Sequence, residues 1–214
     1  MLAVDHISVG YAGKTLAEGI TFRLEPGECV LLCGANGSGK TTLLRTLAGL
    51  DSGCVMLPAR IPKVPGFTLR AFIRTGCYRE NSLGGKLTPE GEKALEEALE
   101  LLGISHLGDQ DIATLSDGEF QKGCIATALV RRAETLLLDE PTAFLDADSR
   151  LAVLQALRTV SRTRAVLFSS HDLQDSAAVC TRIMGFSRDG RFLDTAAGWG
   201  REALLKECFR EYGR

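Results

Sequence analysis

The stretch Gly34-Ala35-Asn36-Gly37-Ser38-Gly39-Lys40-Thr41 lies between a short apolar run, Cys29–Cys33, and a leucine-spaced segment, Thr42–Ala48. It satisfies the pattern G-x-x-x-x-G-K-[ST] at every fixed position. Strand, glycine-rich loop and helix in that order constrain the fold to a phosphate-binding α/β layer. The glycines let backbone N–H groups curl inward around an anion. The helix start adds unpaired N–H groups and the positive end of its dipole. Lys40 supplies a mobile charge for β- and γ-phosphates, and Thr41 a hydroxyl for Mg²⁺.

Two further strands point to the same chemistry. Leu136-Leu137-Leu138 runs apolar into Asp139-Glu140-Pro141. In an open parallel sheet, ligand chemistry gathers at the carboxyl ends of strands. With a phosphate loop upstream, Asp139 can hold Mg²⁺ through water and Glu140 can polarise an attacking water. Ala165–Phe168 is a second buried run, ending in Ser169-Ser170-His171-Asp172. His171 is expected on the same sheet edge as Glu140, within reach of a γ-phosphate. Leu115-Ser116-Asp117-Gly118-Glu119 opens a helix expected to run to about Arg131. Its N–H-rich start suits phosphate, although ordinary capping by Ser or Asp with an early Glu explains the same residues. Tyr11, in a turn ahead of the phosphate loop, is open to two roles: stacking on adenine, or packing on the domain.

Residues 2–9 and Ile20–Leu24 alternate as strands and form an antiparallel layer before the loop. Cys54–Leu57 reads as a short strand. Pro58–Gly66 holds three prolines and a glycine in nine residues, which excludes a regular helix or central strand and makes a stiff connector. Helices are expected over 68–77 and 88–102, the second with Thr88 as N-cap, Pro89 in the first turn and Glu90 and Glu92 near the positive end. Asn81-Ser82-Leu83-Gly84-Gly85 between them is expected to be mobile. The remainder reads as a helix from Leu173, strand Arg182–Ser187, a turn, a short strand and a terminal helix from about Gly198.

With 214 residues, 45% hydrophobic, the chain suits one domain with a sizeable core and a small inserted subdomain. A formal net charge of −2 argues against a general nucleic-acid binder. No apolar run approaches the roughly 18 residues of a membrane span, and Met1–His6 lacks the regions of a signal peptide, so a cytoplasmic chain is expected. Seven cysteines include no C-x-x-C pair. Cys29 and Cys33 share a strand face, and Cys124 and Cys180 fall in apolar helical stretches. Buried free thiols in a reducing compartment are expected.

The ordered set resembles the nucleotide-binding subunit of ATP-binding cassette (ABC) transporters over essentially the whole chain. Gly34–Thr41 matches the Walker A loop, with Thr42 following. Leu136–Glu140 matches Walker B, and Leu115–Glu119 the signature motif. Phe144-Leu145-Asp146 matches the D-loop, His171 the switch histidine and Tyr11 the adenine-stacking aromatic. Ser-Asp-Gly-Glu followed by Gln121-Lys122, Asp139–Asp146 and Ser169–Leu173 look most like the ATPases of iron–siderophore, haem and cobalamin importers.

The resemblance implies a P-loop NTPase fold over residues 1–214: an α/β core with an antiparallel β layer and an inserted helical subdomain at about 66–134. It implies ATP and Mg²⁺ as ligands, with Thr41 and, through water, Asp139 holding the metal. Lys40, Glu140 and His171 would carry the chemistry. It implies a head-to-tail pair in which Ser116-Asp117-Gly118-Glu119 of one copy covers ATP held by the other. The partners implied are transmembrane permease subunits and, indirectly, a substrate-binding protein, with the chain peripheral on the cytoplasmic membrane face. Residues 66–110, with Phe67, Leu69, Phe72, Ile73 and Tyr78 expected to be exposed, are the expected permease-docking region; the alternative is that these residues only pack the subdomain on the core. A non-transport ABC ATPase and an exporter subunit are the alternatives. One departure bears on rate. The family places a glutamine in the connector after Walker A, and this chain has none between Thr42 and Gln110. Lys63 aligns best there. A protonated lysine offers three donors and no acceptor, so it cannot ligate Mg²⁺, although it could approach the γ-phosphate as a charge. Slow hydrolysis with altered metal dependence is therefore expected; the alternative is that a water takes the missing ligand's place, since Mg²⁺ commonly keeps several waters.

Overall fold

The computed structural model describes residues 1–11, 13–80 and 87–209, so the expectation for Asn81 to Gly85 lies outside the described residues. In chain order its strands are β1 (Leu2–Tyr11), β2 (Lys14–Leu24), β3 (Cys29–Cys33), β4 (Cys54–Leu57), β5 (Thr135–Leu138), β6 (Ala165–Ser169), β7 (Arg182–Phe186) and β8 (Phe192–Asp194). The α-helices are α1 (Lys40–Leu50), α2 (Leu69–Arg74), α3 (Pro89–Leu101), α4 (Asp117–Leu129), α5 (Ala147–Val160), α6 (Leu173–Val179) and α7 (Arg201–Cys208). They fall into two compact units: 1–58 with 133–140 and 157–214, and 59–132 with 141–156.

The first unit holds a six-stranded sheet in the order β4-β5-β6-β3-β7-β8 and a separate β1-β2 pair. All neighbours in the large sheet are parallel except β7 and β8. β3, β5 and β6 are buried at every residue, as strands covered on both faces must be. β2 instead alternates: Ile20, Phe22 and Leu24 point inward while Thr21 and Arg23 face water. It begins at Lys14, six residues before its alternating part. One core unites the β1-β2 layer, α1 and the sheet, with Leu43, Leu44 and Leu47 of α1 meeting Val30, Leu32, Leu137, Leu167 and Met184. The leucine spacing after the phosphate loop is thus the buried stripe of an amphipathic helix.

The second unit is mainly helical. Thr88 caps α3 by accepting from Gly91 N, with Pro89 in the first turn as expected. The helix expected over 68–77 is α2 only to Arg74 and then tightens into a 3₁₀ segment, Thr75–Glu80. Gly76 lies there because a Cβ would sit 2.3 Å from the Thr127 carbonyl oxygen of α4. Leu69 and Ile73, expected to be exposed, are fully buried, and Phe72 packs at a tilt against Phe120 with 5.3 Å between ring centroids; Phe67 alone of the described set is openly exposed. The Tyr78 side chain lies outside the described residues. Pro58–Gly66 contains no helix or strand.

Residues 147–160, for which no element is expected from the sequence, form α5. Asp146 Oδ1 accepts from Ser149 N at its start, and Val153, Leu154 and Leu157 are buried. Cys180 does not lie in a helix but ends α6 in extended conformation. All seven cysteines are free and six are buried. Burial pushes the Cys29 and Cys124 thiols up to about 12, which makes them poor nucleophiles. Among the described residues no helix is long and apolar enough to cross a membrane.

Gly185 of β7, paired with Cys33 just before the phosphate loop, has no room for a side chain. A Cβ there would stand 2.6 Å from Cys33 Sγ and 2.7 Å from Cys208 Sγ. Gly185→Ala is expected to destabilise the protein by about 1–3 kcal/mol, the usual cost of overpacking, read as a lowered urea midpoint with unchanged slope.

Candidate functional site

Parallel pairing sets the site. Phe168 of β6 is in register with Leu31 of β3 on one side and Leu138 of β5 on the other. The chain therefore leaves all three strands at one sheet edge, delivering the 34–41 loop, Asp139-Glu140 and Ser170-His171 together.

The loop is built by backbone that side chains would obstruct. Gly34 has φ 147°, and a Cβ on it would lie 2.6 Å from Ser38 Oγ. Gly39, in left-handed conformation, is the N-cap of α1; it provides no side-chain cap, and no acidic residue occupies the first turn. The first N–H groups of α1, with the positive end of its dipole, are left for an anion. Ala35, Asn36 and Gly37 are exposed, and Thr41 and Thr42 half-buried. Lys40 is buried, and its Nζ donates to Gly34 O at 2.8 Å and Ala35 O at 3.3 Å. Burial lowers the Lys40 pKa, opposed by the charges of Glu140 and Asp139.

Asp139 is also buried, and both its oxygens accept. Thr41 Oγ1 donates to Oδ2 at 2.7 Å and Ser169 Oγ to Oδ1 at 2.8 Å. Ser169 Oγ in turn accepts from Glu140 N at 2.9 Å. Ser169 was not singled out as a site residue; its place at the end of a buried strand, just before Ser170-His171, was the signal available. Glu140 stands in left-handed backbone, φ 50°, a conformation that costs a non-glycine residue about 1–3 kcal/mol and clusters at functional sites. His171 N donates to Glu140 Oε2 at 3.1 Å, and His171 Nε2 lies 3.1 Å from Oε1. Burial raises the Glu140 pKa, with His171 and Lys40 opposing.

Tyr11, at the end of β1 and paired with Lys14, is 59% exposed, so it does not pack into the domain. Leu16 of the same hairpin is set against the loop, within 3.3 Å of where a Gly39 Cβ would be.

In the second unit, Ser116 caps α4 with a full capping box. Glu119 N donates to Ser116 Oγ at 3.2 Å, and Ser116 N donates to Glu119 Oε2 at 2.8 Å. Ordinary capping is therefore realised, and the Ser116 hydroxyl, donating to Glu119 Oε2 at 2.7 Å, together with the Ser116 N–H holds the Glu119 carboxyl below its usual range. Asp117 is exposed, and Gly118 lies against the following turn, where a Cβ would stand 3.1 Å from Phe144 O. Lys63 is not a free charge: its Nζ donates to Leu115 O at 2.7 Å and Asp117 Oδ1 at 2.8 Å.

The residues fit a magnesium–triphosphate. Ser38 Oγ, within the loop, is buried without a hydrogen-bond partner among the described residues. Thr41 and Asp139 offer two hard oxygens 2.7 Å apart. Two protein oxygens suit an ion that keeps several waters and takes phosphate oxygens, as Mg²⁺ does.

The family model described as ABC transporter matches residues 17–143. The aliphatic sulfonates import ATP-binding protein SsuB 1 of Pseudomonas fluorescens is 39% identical, over 81% of this chain and 68% of that protein. The ferric enterobactin transport ATP-binding protein FepC of Escherichia coli is 29% identical, over 98% and 86%. Among solved structures, the ATP-binding subunit of an ABC transporter superposes with a TM-score of 0.77 at 22% identity, covering 99% of each chain. A bacterial ABC transporter cassette solved as a dimer gives 0.73 at 19% identity, covering 86% and 94%.

A carboxyl whose pKa is raised on folding favours the folded state below its ordinary pKa and loses that contribution as pH rises through the folded value. Ionised Glu140 therefore costs stability near neutrality. Glu140→Gln, without nucleotide, is expected to melt a few degrees above the wild type at pH 8, the difference closing by about pH 4. Calorimetric melts across this range check it; an equal or lower melting temperature at pH 8 contradicts burial as the dominant effect.

Proposed function

We propose a function for a chain that belongs to the ABC transporter family: it is the ATP-hydrolysing subunit of an importer, acting as a head-to-tail pair on transmembrane permease subunits at the cytoplasmic membrane face. The observation that carries this reading is the single hydrogen-bonded chain Thr41–Asp139–Ser169–Glu140, which fixes a metal-binding pair and a water-polarising carboxylate beside a phosphate loop. The 34–41 N–H groups and Lys40 bind the β- and γ-phosphates. Thr41 and Asp139 hold Mg²⁺, which when bound polarises phosphate oxygens as a Lewis acid. Glu140, its basicity raised by burial, accepts a proton from the attacking water, and His171 orients that carboxylate. A base whose pKa lies nearer neutrality is the better proton acceptor. Tyr11, exposed at the loop's hairpin, offers its ring to adenine.

The start of α4 covers the nucleotide of a second copy through the N–H groups of Asp117 and Gly118. Import is supported by a relative named for aliphatic sulfonates import, beside one named for ferric enterobactin transport. The kinship expected with siderophore importers is thus shared with sulfonate importers, and the cargo is set by partner chains. Slow hydrolysis by the isolated chain is favoured by one feature, the connector without glutamine.

Removing the water-polarising carboxylate should trap the closed pair. Glu140→Gln with saturating MgATP is expected to elute as a dimer in size-exclusion chromatography and to revert to monomer when nucleotide is removed. A monomer under both conditions contradicts the shared site.

A further inference from the structure

We infer that Lys63 is a positioning residue for α4: it fixes the helix start that covers the second copy's nucleotide, and so sets how readily ATP drives pairing. The inference rests on the function proposed above. Lys63 reaches three residues around one helix start. Its Nζ donates to the carbonyl just before the N-cap, Leu115 O at 2.7 Å, and to the first helical side chain, Asp117 Oδ1 at 2.8 Å. It also stands 5.7 Å above the Phe120 ring, one turn further.

A cation at a helix N-terminus opposes the dipole, so helix formation does not call for it. The capping box of Ser116 and Glu119 already begins α4. Asp117, the Leu115 carbonyl and the Phe120 face offset the opposing dipole and hold the ammonium in place. The contact therefore fixes where the helix starts, not whether it forms.

The other end of the strut is stiff. Pro62 and Pro65 flank Lys63 with fixed φ, and Gly66 N donates to Asp111 Oδ2 at 2.9 Å. Arg60 of the same connector lies 5.3 Å from the centroid of Phe144, whose carbonyl faces Gly118. One connector thus holds both the start of α4 and the turn packed against it. With an aligned glutamine in place of Lys63, the cationic contact to Asp117 would be lost.

The test measures, in the Glu140→Gln background, the ATP concentration for half-maximal dimerisation, and separately the affinity of dilute monomer for a fluorescent ATP analogue. Lys63→Met is expected to raise the dimerisation concentration about tenfold, equivalent to about 1.4 kcal/mol, with monomer affinity unchanged. Lys63→Arg, which keeps charge and donors, should restore it to within about threefold. Should Lys63→Met fold poorly, Lys63→Ser, which removes the same contacts and tolerates water at a partly exposed position, should shift dimerisation in the same direction. Unchanged dimerisation, a proportional loss of monomer affinity, or no rescue by arginine overturns the inference alone. Failure of Glu140→Gln itself to dimerise overturns the proposed function and the inference with it.

Discussion

The Thr41 hydroxyl on the Asp139 carboxylate is the bond on which the site depends. It ties the first turn of α1 to the end of β5 across 2.7 Å. Asp139 is 4% exposed, and a buried acceptor left unpaired costs about 1–3 kcal/mol. Here both oxygens accept, from Thr41 and from Ser169. The same Ser169 hydroxyl takes the Glu140 N–H and pins a residue held in left-handed backbone. Three parallel strand ends are thereby joined side by side, and Glu140 is oriented by groups that do not themselves react.

The two helix starts of the proposed site are chemically different. α1 begins with a glycine cap, no acid in its first turn and a lysine folded onto the loop carbonyls. Such a start suits an anion. α4 begins with Asp117 and Glu119, its cap closed by Ser116 and its flanking acid paired with Lys63. Its carboxylates reduce the pull of the dipole on a free phosphate. Such a start is suited to completing a site whose charge is balanced elsewhere, as a shared arrangement requires.

What the sequence made legible was whatever is local. Cys29–Cys33 and Cys54–Leu57 are apolar runs bounded by turn residues, and they are strands with those bounds. Three prolines kept Pro58–Gly66 irregular, and Thr88 with Pro89 marked the start of α3. What it hid was long-range. Ser169 bonds a carboxylate thirty residues away, and Lys63 bonds a carbonyl 52 residues on; no spacing rule connects them. Leu69 and Ile73 read as exposed because the face a short helix buries depends on its neighbours. α5 is legible in Asp146 as its capping residue and in the Leu-x-Val-Leu-x-x-Leu spacing of 151–157.

The most direct test of a hydrolytic site shared between two chains is phosphate release from MgATP as a function of protein concentration. The account predicts a rate per chain that rises with concentration below the pairing threshold, because each site needs two copies. It also predicts a fall of about 10²–10⁴-fold in Glu140→Gln, the usual contribution of a general base. A rate per chain independent of concentration and unaltered by Glu140→Gln would contradict it.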